Sequence, residues 1–272
     1  NPQAFENCPG ISEKRDRSDF TPGADGQVCA FNAQPYNTLQ PEVERHQFSL
    51  QGTLQLTEDI QAYSDFLYSN NRSSHVFGAP LSVGAGLRAY NEETGSLVDI
   101  PVELPVGHPD NPGSEALPFE YTFFDVGERV KANKQDFHRF LAGVNYRGLD
   151  WDWSVNVLNS QSRQREYVDN FINRYTFEDM LASGEYDFFN GNNDPATIEA
   201  LRIDTRRPGF YELNSINANA STILKELDNG PLSVAFGVDW REEEMDAGTS
   251  PEVLSGTELR PAINLVKGKR QV

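Results

Sequence analysis

The chain reads most clearly as strict alternation of apolar and polar positions. Along Arg45–Leu56, His46, Phe48, Leu50, Gly52, Leu54 and Leu56 fall on one side and Gln47, Ser49, Gln51, Thr53 and Gln55 on the other. A period of two is that of a β-strand with one dry and one wet face. Ile60–Asn70 follows after the short link Thr57-Glu58-Asp59, with Phe66 and Tyr68 on its apolar side. The pattern returns at Asp136–Arg147 and Trp151–Ser160, joined by Gly148-Leu149-Asp150. Here Phe140, Val144, Tyr146, Trp151, Trp153, Val155 and Val157 alternate with Asn145, Asp152 and Asn156. A third pair, Leu213–Leu224 and Leu232–Glu242, turns at Asp228-Asn229-Gly230-Pro231, a run of turn formers. Ile216, Val234, Phe236, Val238 and Trp240 oppose Asn217 and Asn219.

Three hairpins with short links, separated by long polar excursions, predict an all-β chain. Six strands are expected to pair in sequence order as one curved, open antiparallel sheet. About ten residues per strand is near the length that crosses a bilayer when tilted. The apolar positions therefore predict a lipid-facing side: Phe48, Leu50, Leu54, Phe66, Tyr68, Phe140, Val144, Tyr146, Trp151, Trp153, Val155, Val157, Ile216, Val234, Phe236, Val238 and Trp240. The polar positions Gln47, Gln51, Gln55, Asn145, Asp152, Asn156, Asn217 and Asn219 predict a lumen-facing side. Aromatic residues gather at two levels, as the interfacial girdles of membrane barrels do.

The excursions, about 71–135 and 161–212, are long enough to suggest a functional surface. The second carries two candidate short helices, Phe177–Ser183 with Thr176 as N-cap and Gly184 as the stop, and Pro195–Arg202 with Asp194 as N-cap. Residues 1–44 read as a proline-broken loop holding Cys8 and Cys29, and residues after about 243 as the start of another loop. Paired, the two cysteines imply an oxidising compartment.

Composition narrows this picture without changing it. No apolar run reaches the roughly 18 residues of a transmembrane helix, and mean hydropathy is −0.58. Neither excludes a barrel, whose strands are half polar. A net charge of −18 offers no basic footprint for nucleic acid. The four histidines, His46, His75, His108 and His138, have no metal-ligand spacing. Asp187, Asn190, Asn192, Asn193 and Asp194 gather oxygen atoms without the ligand order of a calcium loop. The acidic run Glu242, Glu243, Glu244 and Asp246 reads as a solvated strand end. No nucleophile elbow, phosphate loop or dinucleotide signature occurs, so neither an enzyme nor a cofactor is expected.

Several local patterns resemble the barrel region of TonB-dependent outer-membrane receptors. Pro41-Glu42-Val43-Glu44-Arg45 looks like the lead-in to a barrel hairpin of that family. Asp125-Val126-Gly127-Glu128-Arg129, then Gly143-Val144-Asn145-Tyr146-Arg147-Gly148 and Trp151-Asp152-Trp153, follow its recurrent hairpin pattern. Gly237-Val238-Asp239-Trp240-Arg241-Glu242-Glu243 is similar to its strand ends, and the cysteine pair ahead of a Pro-x-x-Glu-Arg lead-in is similar too. The resemblance runs from about Cys8 to Glu243. It implies a barrel of about 22 strands around an N-terminal plug, energised through the TonB complex of the inner membrane. It further implies uptake of an iron–siderophore complex or an oligosaccharide across the cell outer membrane. Neither a plug nor an energy-coupling segment is read here, and six strands are fewer than the roughly eight that close a barrel. The chain is thus expected to be a fragment of such a wall, with outer-membrane lipid as its neighbour and transport beyond its own reach. The contrasting expectation is a secreted β-sandwich that binds glycans or adheres to surfaces, in which Leu50, Val155, Val234 and Phe236 would pack against a second sheet.

Overall fold

A computed structural model describes residues 8, 12–19, 22–188, 193–248, 250–259 and 266–272. Its main element is a seven-stranded antiparallel sheet in strict sequence order. The strands are β1 (Glu42–Gln55), β2 (Ile60–Gly78), β3 (Arg129–Arg147), β4 (Asp152–Ile172), β5 (Arg202–Leu227), β6 (Gly230–Ala247) and β7 (Val266–Gln271). The predicted hairpins and their sequential pairing are present as one sheet with two free edges. No closed barrel is formed among the described residues.

Most strands run well past their predicted ends. β2 continues to Gly78, β3 begins at Arg129, β4 reaches Ile172 and β5 starts at Arg202, so both excursions are shorter than their sequence suggests. The extra turns of strand carry charged side chains on both faces, which erases the period-two signal there. β7 stands where the sequence predicts a loop, because Val-Lys-Gly-Lys-Arg-Gln has no apolar face. It forms because its cations meet the acidic run: Lys267 pairs with Asp246 at 3.0 Å, Lys269 with Glu242 at 2.9 Å and Arg270 with Glu243 at 2.6 Å.

The hydrophobic core lies beyond the apolar band of this sheet, at the long-loop end, where the end of β4 and segments 79–128, 173–188, 193–201 and 250–259 pack into one module. Phe123, Phe177, Tyr186, Leu201 and Leu259 are buried there with Ala89, Leu104 and Ile172. Tyr121 meets Phe123, Tyr186 and Phe188 edge-on at 5.2, 5.9 and 5.2 Å between ring centroids. Helix α1 (Arg174–Ser183) is capped by Asn173, whose side chain accepts from the amides of Tyr175 and Thr176. Thr176, the expected cap, therefore lies inside the first turn, whereas Gly184 does end the helix in the left-handed conformation at φ 72°. Helix α2 (Pro195–Leu201) has the expected cap Asp194, and Arg202 already belongs to β5. A short helix, α3 (Pro251–Leu254), begins on Ser250. Gly256 follows at φ 71°, and a Cβ there would lie 2.1 Å from the carbonyl oxygen of Tyr90, so only glycine lets this segment close on the module.

The N-terminal region holds a hairpin where a loop was expected, Ser12–Asp16 paired with Gln27–Phe31. The disulfide Cys8–Cys29 ties its second strand to the preceding chain across 21 residues. Replacing both cysteines with serine is expected to destabilise this hairpin by about 3 kcal/mol. Limited proteolysis should then cut within 12–31 sooner while the sheet stays intact; unchanged cleavage would show the bond to be dispensable.

Candidate functional site

The candidate functional surface is the sheet itself, and the register defines its two faces. Directly opposed residues of antiparallel strands point the same way. One row reads Leu54, Ala62, Val144, Val155, Ala218 and Val238 across β1 to β6. The next reads Gly52, Ser64, Ala142, Val157, Ile216 and Trp240. All seventeen residues expected to face lipid fall on this outward side, Trp151 by its stacking on Phe236 at 6.5 Å. No second sheet covers them among the described residues: Leu50 and Phe236 are each 62% exposed and Val238 is 71% exposed. Aromatic pairs mark the tight-turn end, where Tyr146 also stacks on Trp153 at 5.4 Å, and the loop end, where Phe48 meets Phe66 at 6.3 Å.

The frontier of this apolar band is oblique. On β1 it reaches up to Phe48, whose row continues through Tyr68, His138, Gln161 and Glu212 to Glu244. On β6 it stops at Trp240, which shares a row with Gly52, four residues below Phe48. Four residues are about 13 Å of strand and five strand spacings are about 24 Å, so the frontier makes an angle of about 30° with the hydrogen-bonding direction.

The opposite face is polar and cross-linked. Gln51 donates to Asp65 at 2.7 Å, and Asp65 also pairs with Arg139 at 3.0 Å. Asn219 donates to Asn217 at 2.6 Å. Gln47, Gln55, Asn145, Asp152 and Asn156 share this face, so all eight residues expected to line a lumen are brought together. Tyr63 lies over Gly143, where a Cβ would come within 2.5 Å of the ring.

Towards the loops the same face holds an ion network that the sequence did not announce. Glu166 accepts from Lys131 at 3.0 Å and from Arg207 at 2.7 Å, and Arg207 reaches Glu258 at 3.0 Å. Burial pushes the Glu166 carboxyl up, but hydrogen bonds and charge from Lys131 and Arg207 outweigh it and hold it below the usual range. Glu258 is fully buried, and burial pushes its carboxyl up to about 7 against the opposing pull of Arg207. Its segment is fastened to the sheet by backbone as well, through the bridge Asn173–Glu258 and the bond from Leu259 N to Ile172 O.

In the module, Tyr186 donates to both oxygens of Asp125 at 2.6 and 2.8 Å, and Asn193 donates to the second at 3.0 Å. Burial drives the Tyr186 and Tyr121 phenols far above their ordinary value, so both stay neutral donors. Asn193 is thus a structural clip and Asp194 a helix cap; Asn190 and Asn192 lie outside the described residues. Among the described residues no three His, Cys, Asp or Glu side chains converge as metal ligands, and no helix is long and apolar enough to cross a membrane. A cleft of about 390 Å³ opens between the disulfide hairpin and the module, lined by Phe31, Ser82, Glu120, Tyr121, Thr122 and Phe124 among others. Family models, curated proteins and solved structures were each compared with the chain, and none matches it.

Proposed function

We propose that this chain forms part of the wall of an outer-membrane TonB-dependent receptor that imports a bulky nutrient, an iron–siderophore complex or an oligosaccharide. The observation that carries the reading is the two-faced single sheet, whose apolar side is covered by no second layer among the described residues and whose polar side is cross-linked. A soluble sheet buries its apolar face against another layer; a membrane wall turns it to lipid. The band is nine residues tall from Phe48 to Leu56, one residue past the end of β1, and from Leu232 to Trp240 on β6, close to what a tilted strand needs. Its oblique frontier fits strands tilted by roughly 35–45° to a barrel axis. The glycan-binding sandwich requires Leu50, Val155, Val234 and Phe236 between two sheets; the first, second and fourth are exposed and Val234 is only half-buried.

On this reading the loop module and its cleft capture the ligand and the polar face borders its path. Further strands and a plug complete the lumen, and the plug engages the TonB complex. No covalent chemistry is involved. The three tryptophans, Trp151, Trp153 and Trp240, all lie on the outward face and so report on its surroundings. In lipid bilayers with brominated acyl chains, most tryptophan fluorescence should be quenched, while aqueous iodide should quench little. The reverse result would sink the membrane reading. Binding and growth assays with candidate siderophores and glycans then decide the ligand.

A further inference from the structure

We propose that the outward face of the wall, beyond its apolar band on the loop side, binds the phosphorylated headgroup of a lipid in the adjoining leaflet through Arg72, Lys134, Arg163, Arg165 and Arg206. This rests on the membrane reading above. The register brings these residues together from β2, β3, β4 and β5. Arg72, Lys134 and Arg165 stand directly opposite one another on three neighbouring strands. Arg163 is one row nearer the band, opposite Asp136, and Arg206 is one row further, opposite Tyr167.

Like charges set directly opposite each other destabilise a sheet, and in a chain of net charge −18 carboxylates are plentiful. Yet among the described residues Lys134, Arg163, Arg165 and Arg206 form no ion pair with a carboxylate, and Arg72 reaches only Glu44, at 3.9 Å. Three inward cations behave oppositely. Lys131, Arg139 and Arg207 are each paired with Glu166, Asp65 or Glu258. The contrast is sharpest between consecutive residues of β5. Arg207 points inward onto two carboxylates, whereas its neighbour Arg206 points outward and has the ring of Tyr167 at 5.6 Å.

The surroundings fit a headgroup. Lys134 lies over the same Tyr167 ring at 5.2 Å and Arg163 over Phe210 at 5.8 Å, so aromatic faces hold the cationic stems against the sheet. Between the band and the cations the outward positions Asn70, Asn159, Gln161 and Asn214 are polar and uncharged. Arg72 stands four residues beyond Tyr68, about 13 Å along the strand, which is headgroup rather than acyl depth. Carboxylates border the patch: Asp136 accepts from Asn70 at 2.7 Å, Glu42 and Glu44 lie at its β1 edge, Asp204 accepts from the amide of Asn170 at 3.3 Å, and Glu212 lies below it towards β6. On β6, Asp246 is met by Lys267 and Glu242 by Lys269 of β7.

The test uses the full-length protein in mixed vesicles of phosphatidylcholine and bisphosphorylated lipid A. Lipids retained on the protein are counted by native mass spectrometry after release. The wild type should retain lipid A in preference to phosphatidylcholine. The variant K134Q/R165Q/R206Q should lose affinity about fivefold for each charge removed, while Lys225→Gln, at the tight-turn end, should leave it unchanged. Equal retention by the wild type and the triple variant would overturn the proposal. Displacement of the lipid by millimolar inorganic phosphate would indicate a free-anion site and would overturn the lipid assignment. Tryptophan quenching on the same samples separates the two readings. Quenching without lipid A preference defeats the headgroup site alone, and absence of quenching defeats the membrane wall itself.

Discussion

Val155→Arg is expected to cost the lipid-reconstituted protein about 2–4 kcal/mol. Val155 stands in the row of Leu54, Val144, Ala218 and Val238, well inside the apolar band, so the guanidinium would have to be held among acyl chains. Asn156→Arg, one residue further on, places the same charge on the polar face and should change stability by less than about 0.5 kcal/mol. Chemical denaturation in lipid vesicles measures both. If the apolar face met water instead of lipid, Val155, already 41% exposed, would accept arginine as readily as Asn156 does. Two small and equal effects would therefore refute the assignment of the faces.

The second large effect is a dependence on pH. The buried carboxyl of Glu258 keeps its proton up to about pH 7, whereas in the unfolded chain it ionises near its ordinary value of 4.5. Between those two values the folded state binds more protons than the unfolded state, so stability falls as pH rises. The loss is complete above pH 7 and amounts to about 3 kcal/mol. Glu166, held below its ordinary value, acts with the opposite sign; its contribution is lost as pH falls below about 4.5, outside the Glu258 window. Glu258→Gln keeps the shape and removes the titration. Urea denaturation of the module, followed by the near-ultraviolet circular dichroism of its tyrosines, should show a drop between pH 5 and pH 8 in the wild type and a flat response in the variant. Identical pH dependence in the two proteins would exclude Glu258 as its source.

The sheet was legible because its signal is local. From Phe48 to Leu56, and from Leu232 to Trp240, each residue's face follows from its neighbours two positions away, and hairpin links set the pairing order. Strand ends were not legible, because beyond Tyr68 or Phe140 both faces carry polar groups and alternation has nothing to alternate. The module was hidden for a different reason. Its core is assembled from short pieces, such as Ile100, Leu104, Phe123 and Leu259, that have no shared period and meet only in three dimensions. The ion network joins β3, β4 and β5 to a residue 51 positions beyond Arg207, so no spacing could announce it. The outward cations were concealed by a strongly negative total. Only the cross-strand register gathers Arg72, Lys134 and Arg165 into one row.

If the proposed reading holds, the separation of the core from the sheet means that two different solvents hold this molecule together. Among the described residues, the apolar side chains transferred from water to a protein interior belong mostly to the loop module and the end of β4 that it covers, with Phe123 and Phe177 fully buried. The heat-capacity change of unfolding arises from that transfer. On the proposed reading the wall keeps its apolar face in hydrocarbon, so it adds little to that term. A calorimeter would then see the module as a small water-soluble domain with a curved stability profile. The wall, with more residues, would respond to temperature through the state of the surrounding lipid.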